Sequence, residues 1–244
     1  MTSTPPSRPT DPVTPCPIMC VTGTSTEVGK TVVTAALAAA LHARHQRVAV
    51  VKPAQTGLQP GEPGDMAEVT RLAGPGIATF ENVRLPDPLA PDVAARRAGL
   101  SIPTVAEHAA SVGTLARSDN YDVVLVEGSG GLLVHLDSEG GDLTSIAAAL
   151  GAGELRVGFV VVVQEGLGTL NHTALTLEAL AHRGLDLLGV VVGSQSPTPD
   201  LAAKTNVEEL SDLAGGFLIG GVPAGAAQLD PAQFQSLAEG WVHL

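Results

Sequence analysis

Three features of the sequence predict a single α/β domain over residues 17–244, built on a mostly parallel, twisted sheet with helices on both faces. Short apolar runs rich in β-branched residues alternate with helical patterns, and such alternation folds into a parallel sheet through right-handed crossovers. Hydrophobic residues make up 44% of the 244 residues and aromatics only 2%. A large core therefore has to be assembled from Ala, Val, Leu and Ile, the residues of helices packed closely on a two-sided sheet. The third feature is the junction between the first strand and the first helix, where a polar loop runs from Gly23 to Gly29 and hands over to Lys30 and Thr31.

Residues 1–16 hold five of the 18 prolines and no apolar period, the composition of a disordered tail outside any site. The first strand covers residues 18–22, Ile-Met-Cys-Val-Thr, and the helix after it, 31–45, is rich in Ala, Leu and Val. The second strand, 48–52, ends on Lys52. A long insertion carrying Pro86, Pro88 and Pro91 separates it from the third strand and reads as the wall of a substrate pocket; helices at 65–73 and 102–116 lie in the same stretch. The third strand, 121–127, ends in Glu127 and leads through glycines to a helix at 143–150. Strands at 157–163, 187–192 and 217–222 and helices at 170–183, 199–214 and 231–241 complete the alternation. In the helix at 170–183, Leu170, Ala174, Leu177 and Ala181 are spaced as one apolar face. Cys16 and Cys20 are too few for a disulfide framework and lack partners for a metal site, so both read as buried or incidental thiols.

The formal net charge is −12. Such a field repels nucleic acid and anionic membrane surfaces, which points to a soluble enzyme or switch acting on small molecules. No apolar run reaches transmembrane length, and residues 1–16 lack the charged start and apolar middle of a signal peptide, so the cytoplasm is the expected location.

The chemistry gathers on one rim of the sheet. In an open parallel sheet the carboxyl ends of the strands lie together, and ligands bind there. Residues 23–31, Gly-Thr-Ser-Thr-Glu-Val-Gly-Lys-Thr, are built to hold a nucleoside triphosphate: loop amides converge on phosphate oxygens, the helix N-terminus adds partial positive charge, Lys30 reaches the outer phosphates and the Thr31 hydroxyl can ligate Mg²⁺. The loop is a P-loop variant with five residues between its glycines instead of four. Lysines are scarce. Of 13 basic residues only Lys30, Lys52 and Lys204 are lysines, and two of them fall on this rim, placed for an anion. Glu127 ends a buried strand, where P-loop proteins put a group that holds Mg²⁺ directly or through water. The glycines after it let amides approach an anion closely. Asp65 read alone is a helix N-cap, and residues 166–172 are a Gly-rich lead-in to a helix whose first amides could hold a carboxylate.

Together, residues 23–31 with their spacing, Lys52-Pro53-Ala54-Gln55-Thr56-Gly57, Gly64-Asp65, Val126-Glu127-Gly128-Ser129-Gly130-Gly131 and Gly166-Leu167-Gly168-Thr169-Leu170-Asn171-His172 resemble dethiobiotin synthetase of the biotin pathway. The match runs in order from Ile18 to about Pro223. The resemblance implies a P-loop NTPase fold and a homodimeric ligase that depends on Mg²⁺ and ATP. Such an enzyme forms a carbamate from 7,8-diaminononanoate and CO₂, phosphorylates it, and lets the second amine close a cyclic urea. It implies that Glu27, Val28, Gly29, Lys30, Thr31 and Val32 wrap the phosphates, and that Thr31, Asp65 and Glu127 hold Mg²⁺. Lys52 would be catalytic beside Lys30, and Thr56 would offer its hydroxyl to the substrate. Gly128, Ser129 and Gly130 would contact the nucleotide, with Gly193, Ser194, Pro223, Ala224 and Gly225 on the side of the base. Gly168, Thr169, Leu170 and Asn171 would bind the substrate's carboxylate tail across the dimer interface, leaving His172 a structural part. Relatives often carry Asn at the place of Gly193, which here offers no side-chain donor, so base selection is expected to relax.

Two other classes compete. A P-loop switch of the partitioning-ATPase type would need an extra lysine early in the loop, where Thr24 and Ser25 stand. A nucleotide-binding subunit without catalysis leaves Lys52 unexplained.

Overall fold

The computed structural model describes residues 18–243. The expectations for residues 1–16 and for Cys16 lie outside that range. Among the described residues seven strands form one sheet: β1 (Ile18–Gly23), β2 (Val48–Thr56), β3 (Ala78–Leu85), β4 (Val123–Gly131), β5 (Val157–Val163), β6 (Asp186–Gln195) and β7 (Leu218–Pro223). Their order is β3-β2-β4-β1-β5-β6-β7, and every neighbouring pair is parallel. The helices are α1 (Lys30–Ala43), α2 (Asp65–Ala73), α3 (Pro91–Ala98), α4 (Val105–Ala116), α5 (Leu143–Ala152), α6 (Thr169–His182), α7 (Leu201–Leu213) and α8 (Pro231–Ala238).

Strand alternation divides the core in two. Met19, Val21, Val48 and Val50 face α1, α2 and α8, while Ile18, Cys20, Ala49 and Val51 face α4 to α7. Side chains of period two thus serve both faces, as a doubly covered parallel sheet requires. The small side chains of α1 let it lie deep in the first layer: Ala35, Ala36, Leu37 and Ala38 are all fully buried. The α/β P-loop fold expected from the sequence is the fold observed.

The insertion after β2 holds two elements that the sequence did not reveal. It contains β3, a half-exposed edge strand whose Glu81, Asn82 and Arg84 hid the apolar-run signal, and α3, which Pro91 opens at its first turn. Proline suits that position because no intrahelical partner is lost there. The stripe expected on α6 is rotated. Thr169, Thr173 and Leu180 form its buried line, Leu170 and Leu177 flank it against the core, and Ala181 is exposed. Threonines at the centre of the face hid it from an apolar count.

One departure from regular pairing and one pattern of helix starts create the site. β2 and β4 pair only as far as Val51 and Val126; beyond that β2 stays with β3 up to Thr56–Leu85, and β4 stays with β1 up to Gly131. The sheet forks there. Helix starts follow a second pattern. α4, α5, α7 and α8 are capped by side chains of Thr104, Asp142, Asp200 and Asp230, whereas α1, α2 and α6 begin after Gly29, Gly64 and Gly168 with no side-chain cap. Uncapped N-termini leave amides available to anions.

At the end of β6, Gly193 is pressed against the loop between β1 and α1. A Cβ there would overlap the Val28 carbonyl oxygen, and one on Gly29 would lie 2.6 Å from the Gly193 oxygen. Gly193→Ala should therefore destabilise the fold by about 1–3 kcal/mol through overpacking. Urea unfolding measures this, and unchanged stability would show that the loop yields freely.

Candidate active site

Glu27 with φ 55° and Gly29 with φ 94° turn the chain from β1 into α1, so that the loop wraps the open helix N-terminus. Lys30 is the first residue of α1. Its side chain lies back along the loop, with Nζ donating to the Ser25 carbonyl at 2.9 Å. Burial, and next the neighbouring Lys52 charge, lower its pKa to about 8.

The fork between β2 and β4 holds the second cation. Lys52 is 4% exposed and Glu127 fully buried. Lys52 Nζ donates to Glu127 Oε1 at 2.8 Å and to the Gly128 carbonyl at 3.1 Å, and pairs with Asp65 Oδ2 at 2.8 Å. Burial pushes this ammonium down, but the two carboxylates more than offset it and hold its pKa above the ordinary lysine value. The Thr31 hydroxyl donates to the same Glu127 oxygen at 2.9 Å. Thr31, Asp65 and Glu127, far apart in the chain, thus meet around Lys52.

Asp65 is the first residue of α2, and its cap is Gly64. The N-cap reading of Asp65 is corrected: its carboxylate turns to Lys52, while its N–H donates to Gln55 Oε1 at 2.8 Å. Sequence reasoning gave Gln55 no role although it stands between Lys52 and Asp65 in the chain. Ser129 Oγ donates to the Ala54 carbonyl at 2.7 Å, a strap across the fork that no spacing signalled.

A cleft of about 490 Å³ opens over this cluster. Its walls include Glu27, Gly29, Lys30, Thr31 and Val32 from the loop, Lys52, Thr56 and Asp65 from the β2 side, and Glu127, Ser129 and Gly130 from β4. A second cleft of about 360 Å³ shares Thr26, Thr56, Ser129 and Gly130 with the first and is walled by Pro88, Leu89, Ala90, Pro91 and Val134. The expected role of the insertion as pocket wall has that geometry.

Other residues singled out in the sequence stand apart from both clefts. Val28 is buried beneath the loop, and Gly128 gives its carbonyl to Lys52. Gly193 and Ser194 lie just before β6 ends at Gln195, and Pro223 ends β7, with the Ala224 N–H donating to the Gln195 carbonyl at 2.7 Å and Gly225 following. Gly193 supports the loop from behind. Its missing side chain is a packing requirement, since a larger residue there would meet Val28 before any ligand. Gly168, Thr169, Leu170 and Asn171 open α6; Asn171 is exposed, Leu167 is 94% exposed, and Thr169 is buried with no hydrogen-bond partner for its hydroxyl.

The residues present fit a small hard cation. Glu127 Oε2 is buried and makes no hydrogen bond, and an orphaned carboxylate oxygen asks for a positive partner. Among the described residues no group of three or more His, Cys, Asp and Glu could hold a metal. Two carboxylates and one hydroxyl with remaining sites for phosphate oxygens and water match Mg²⁺, which keeps several waters and rarely takes an all-protein cage.

The profile of a family described as an AAA domain matches residues 18–232. The chain is 52% identical over 226 residues to the ATP-dependent dethiobiotin synthetase BioD of Streptomyces coelicolor, covering 93% of this chain and 92% of that one. It is 54% identical over 220 residues to the protein of the same name from Frankia casuarinae, covering 90% and 89%. Among solved structures, the MinC:MinD cell division protein complex of Aquifex aeolicus contains a chain that superposes with a TM-score of 0.52 at 16% identity, covering 91% of this chain and 86% of that one. That likeness concerns the fold alone. Identity of this degree over nine-tenths of the length, joined to a phosphate loop and a carboxylate-bound lysine in one cleft, makes the chain an enzyme of the ATP-dependent dethiobiotin synthetase family.

Proposed function

We propose that this enzyme closes the cyclic urea of dethiobiotin from 7,8-diaminononanoate and CO₂, with ATP as co-substrate and Mg²⁺ as cofactor. The observation that carries the reading is the pair Lys30 and Lys52 lining one cleft, the second held by Glu127 and Asp65. One amine takes up CO₂ and loses a proton, giving a carbamate. A carbamate oxygen then attacks the γ-phosphorus and ADP leaves; the second amine attacks the carbonyl carbon of the mixed anhydride, and phosphate departs with ring closure. Carbamate and triphosphate are both anions, so bringing them together requires fixed positive charge. Lys30 and the open α1 N-terminus would hold the outer phosphates, and Lys52 would stabilise charge on the transferring oxygens. Bound Mg²⁺, held by Thr31, Asp65 and Glu127, would add Lewis-acid neutralisation of the phosphates.

The diamine would lie along the second cleft, its aliphatic chain against Pro88 to Pro91 and one amine near Thr56. The active unit in this reading is a homodimer, in which the start of α6 completes the neighbour's site. Leu133, Leu167 and Leu175 support it: they are 46%, 94% and 57% exposed. Leu133 and Leu175 edge a shallow hollow against α6. With Gly193 committed to packing, the base would be met by main-chain groups around Ser194, Pro223, Ala224 and Gly225, which favours a permissive choice of triphosphate. No helix among the described residues is long and apolar enough to cross a membrane, and we place the protein in the cytoplasm. A partitioning-type switch finds no support in Thr24 and Ser25.

Purified protein should release ADP only when diaminononanoate and bicarbonate are both present. Lys30→Ala should reduce that rate by at least about a thousandfold, since a charge on the transferring phosphoryl group is worth several kcal/mol. Near-normal turnover by Lys30→Ala would remove the phosphate-loop assignment.

The Lys30 pKa of about 8 gives a pH dependence. Phosphate favours the charged lysine, so above that pH nucleotide binding has to draw a proton onto Lys30. The nucleotide kcat/KM should therefore fall about tenfold per unit above pH 8. Calorimetry in two buffers at pH 8.5 should show proton uptake on binding. A flat profile would place the Lys30 pKa well above that range.

A further inference from the structure

The chain that enters α6 has little packing of its own. A Cβ on Gly166 or Gly168 would meet nothing within 4 Å, and Leu167 is 94% exposed. Two side chains tie it down. Asn206 on α7 is 7% exposed and donates through Nδ2 to the Glu165 carbonyl at 2.8 Å and to the Gly166 carbonyl at 3.1 Å. Both amide hydrogens are spent on consecutive carbonyls, so the orientation of the amide is fixed by its partners. Glu165 Oε1 in turn accepts from the Ser196 N–H just past β6, at 2.9 Å. Asn206 sits with Ala203 and Leu210 on the buried face of α7, where an apolar residue is the ordinary occupant. Burying an amide costs free energy unless its hydrogen bonds are made. Here they are made to one segment only.

We infer that Asn206 and Glu165 are positioning residues that set the place of Gly168, Thr169, Leu170 and Asn171, and so act on the substrate-carboxylate contacts of the neighbouring subunit's active site and not of their own. The inference rests on the dimeric reading proposed above. The hydrogen bonds reach the segment from behind, through its main chain, which leaves its exposed face free for a ligand. Ser196 lies two residues past Ser194, so the same tie joins the rim beside the base to the segment that would meet the substrate tail.

Steady-state kinetics of the full-length enzyme tests this. Glu165→Ala and Asn206→Ala should each raise KM for the diamine about tenfold, with kcat and the KM for ATP within about twofold, as expected for a lost hydrogen bond that orients without reacting. Glu165→Gln should keep the wild-type KM, because its amide oxygen still accepts from Ser196. Glu165→Ala alters a partly exposed residue and guards against a folding defect in Asn206→Ala. Heterodimers with Lys30→Ala then assign the subunit. A Glu165→Ala chain paired with a Lys30→Ala chain has one working phosphate site, whose α6 segment comes from the partner with Glu165 intact, and should show the wild-type KM. A chain carrying both substitutions, paired with wild type, should show the raised KM. The opposite pattern, or an unchanged KM in both alanine variants, overturns the inference while leaving the function standing. A wild type that never responds to the diamine overturns both.

Discussion

The structure turns on the parting of β2 from β4. Where their pairing stops, Lys52 and Glu127 face one another inside the sheet and their charges are taken out of water. Desolvating two charges costs several kcal/mol and is offset only by close geometry and further hydrogen bonds. Lys52 obtains these from Asp65 and the Gly128 carbonyl, and Glu127 from Thr31. The arrangement constrains the path of the chain: β1 must carry its loop to α1 so that Thr31 reaches Glu127, and α2 must begin at Asp65. A fully apolar fork would pack more simply. Buried polarity retained at such a cost marks the place where the fold gives up stability for chemistry.

The same logic explains the distribution of charge over the molecule. With a formal net charge of −12, the protein presents a field that disfavours anions. In the cleft Lys30, Lys52 and the uncapped start of α1 work against that field, while Glu27, Asp65 and Glu127 line the same walls and leave room for a cation to add to them. α4, α5, α7 and α8 spend a Thr or Asp side chain on an early amide, whereas α1, α2 and α6 open on glycine without such a cap. α2 is the intermediate case, since Gln55 takes its first amide and thereby aims the Asp65 carboxylate at Lys52.

What could be read from the sequence follows from how local each signal is. The phosphate loop, Lys52 and Glu127 lie in contiguous patterns with one physical meaning, and the structure brings them together, although β2 runs on past Lys52 to Thr56 and β4 past Glu127 to Gly131. The α/β alternation was legible because both faces of the inner strands are apolar. β3 was not, because an edge strand is free to carry Glu81, Asn82 and Arg84, and α3 was hidden by the proline that begins it. Gly193 shows a different limit: its need for no side chain comes from Val28, 165 positions earlier in the chain, and only the fold discloses that contact. Gln55, Ser129 and Asn206 also act through main-chain partners, which leave no trace in residue type.

On the proposed reading, the fork unites a carbamate with a triphosphate. Incubation with ATP, Mg²⁺, 7,8-diaminononanoate and ¹³C-bicarbonate, followed by mass spectrometry of the organic product, tests it most directly. A cyclic urea carrying a single ¹³C at its ring carbonyl is expected, formed in step with ADP, with neither product from Lys52→Met. ADP release without a labelled urea would contradict it and return the protein to the class of nucleotide switches.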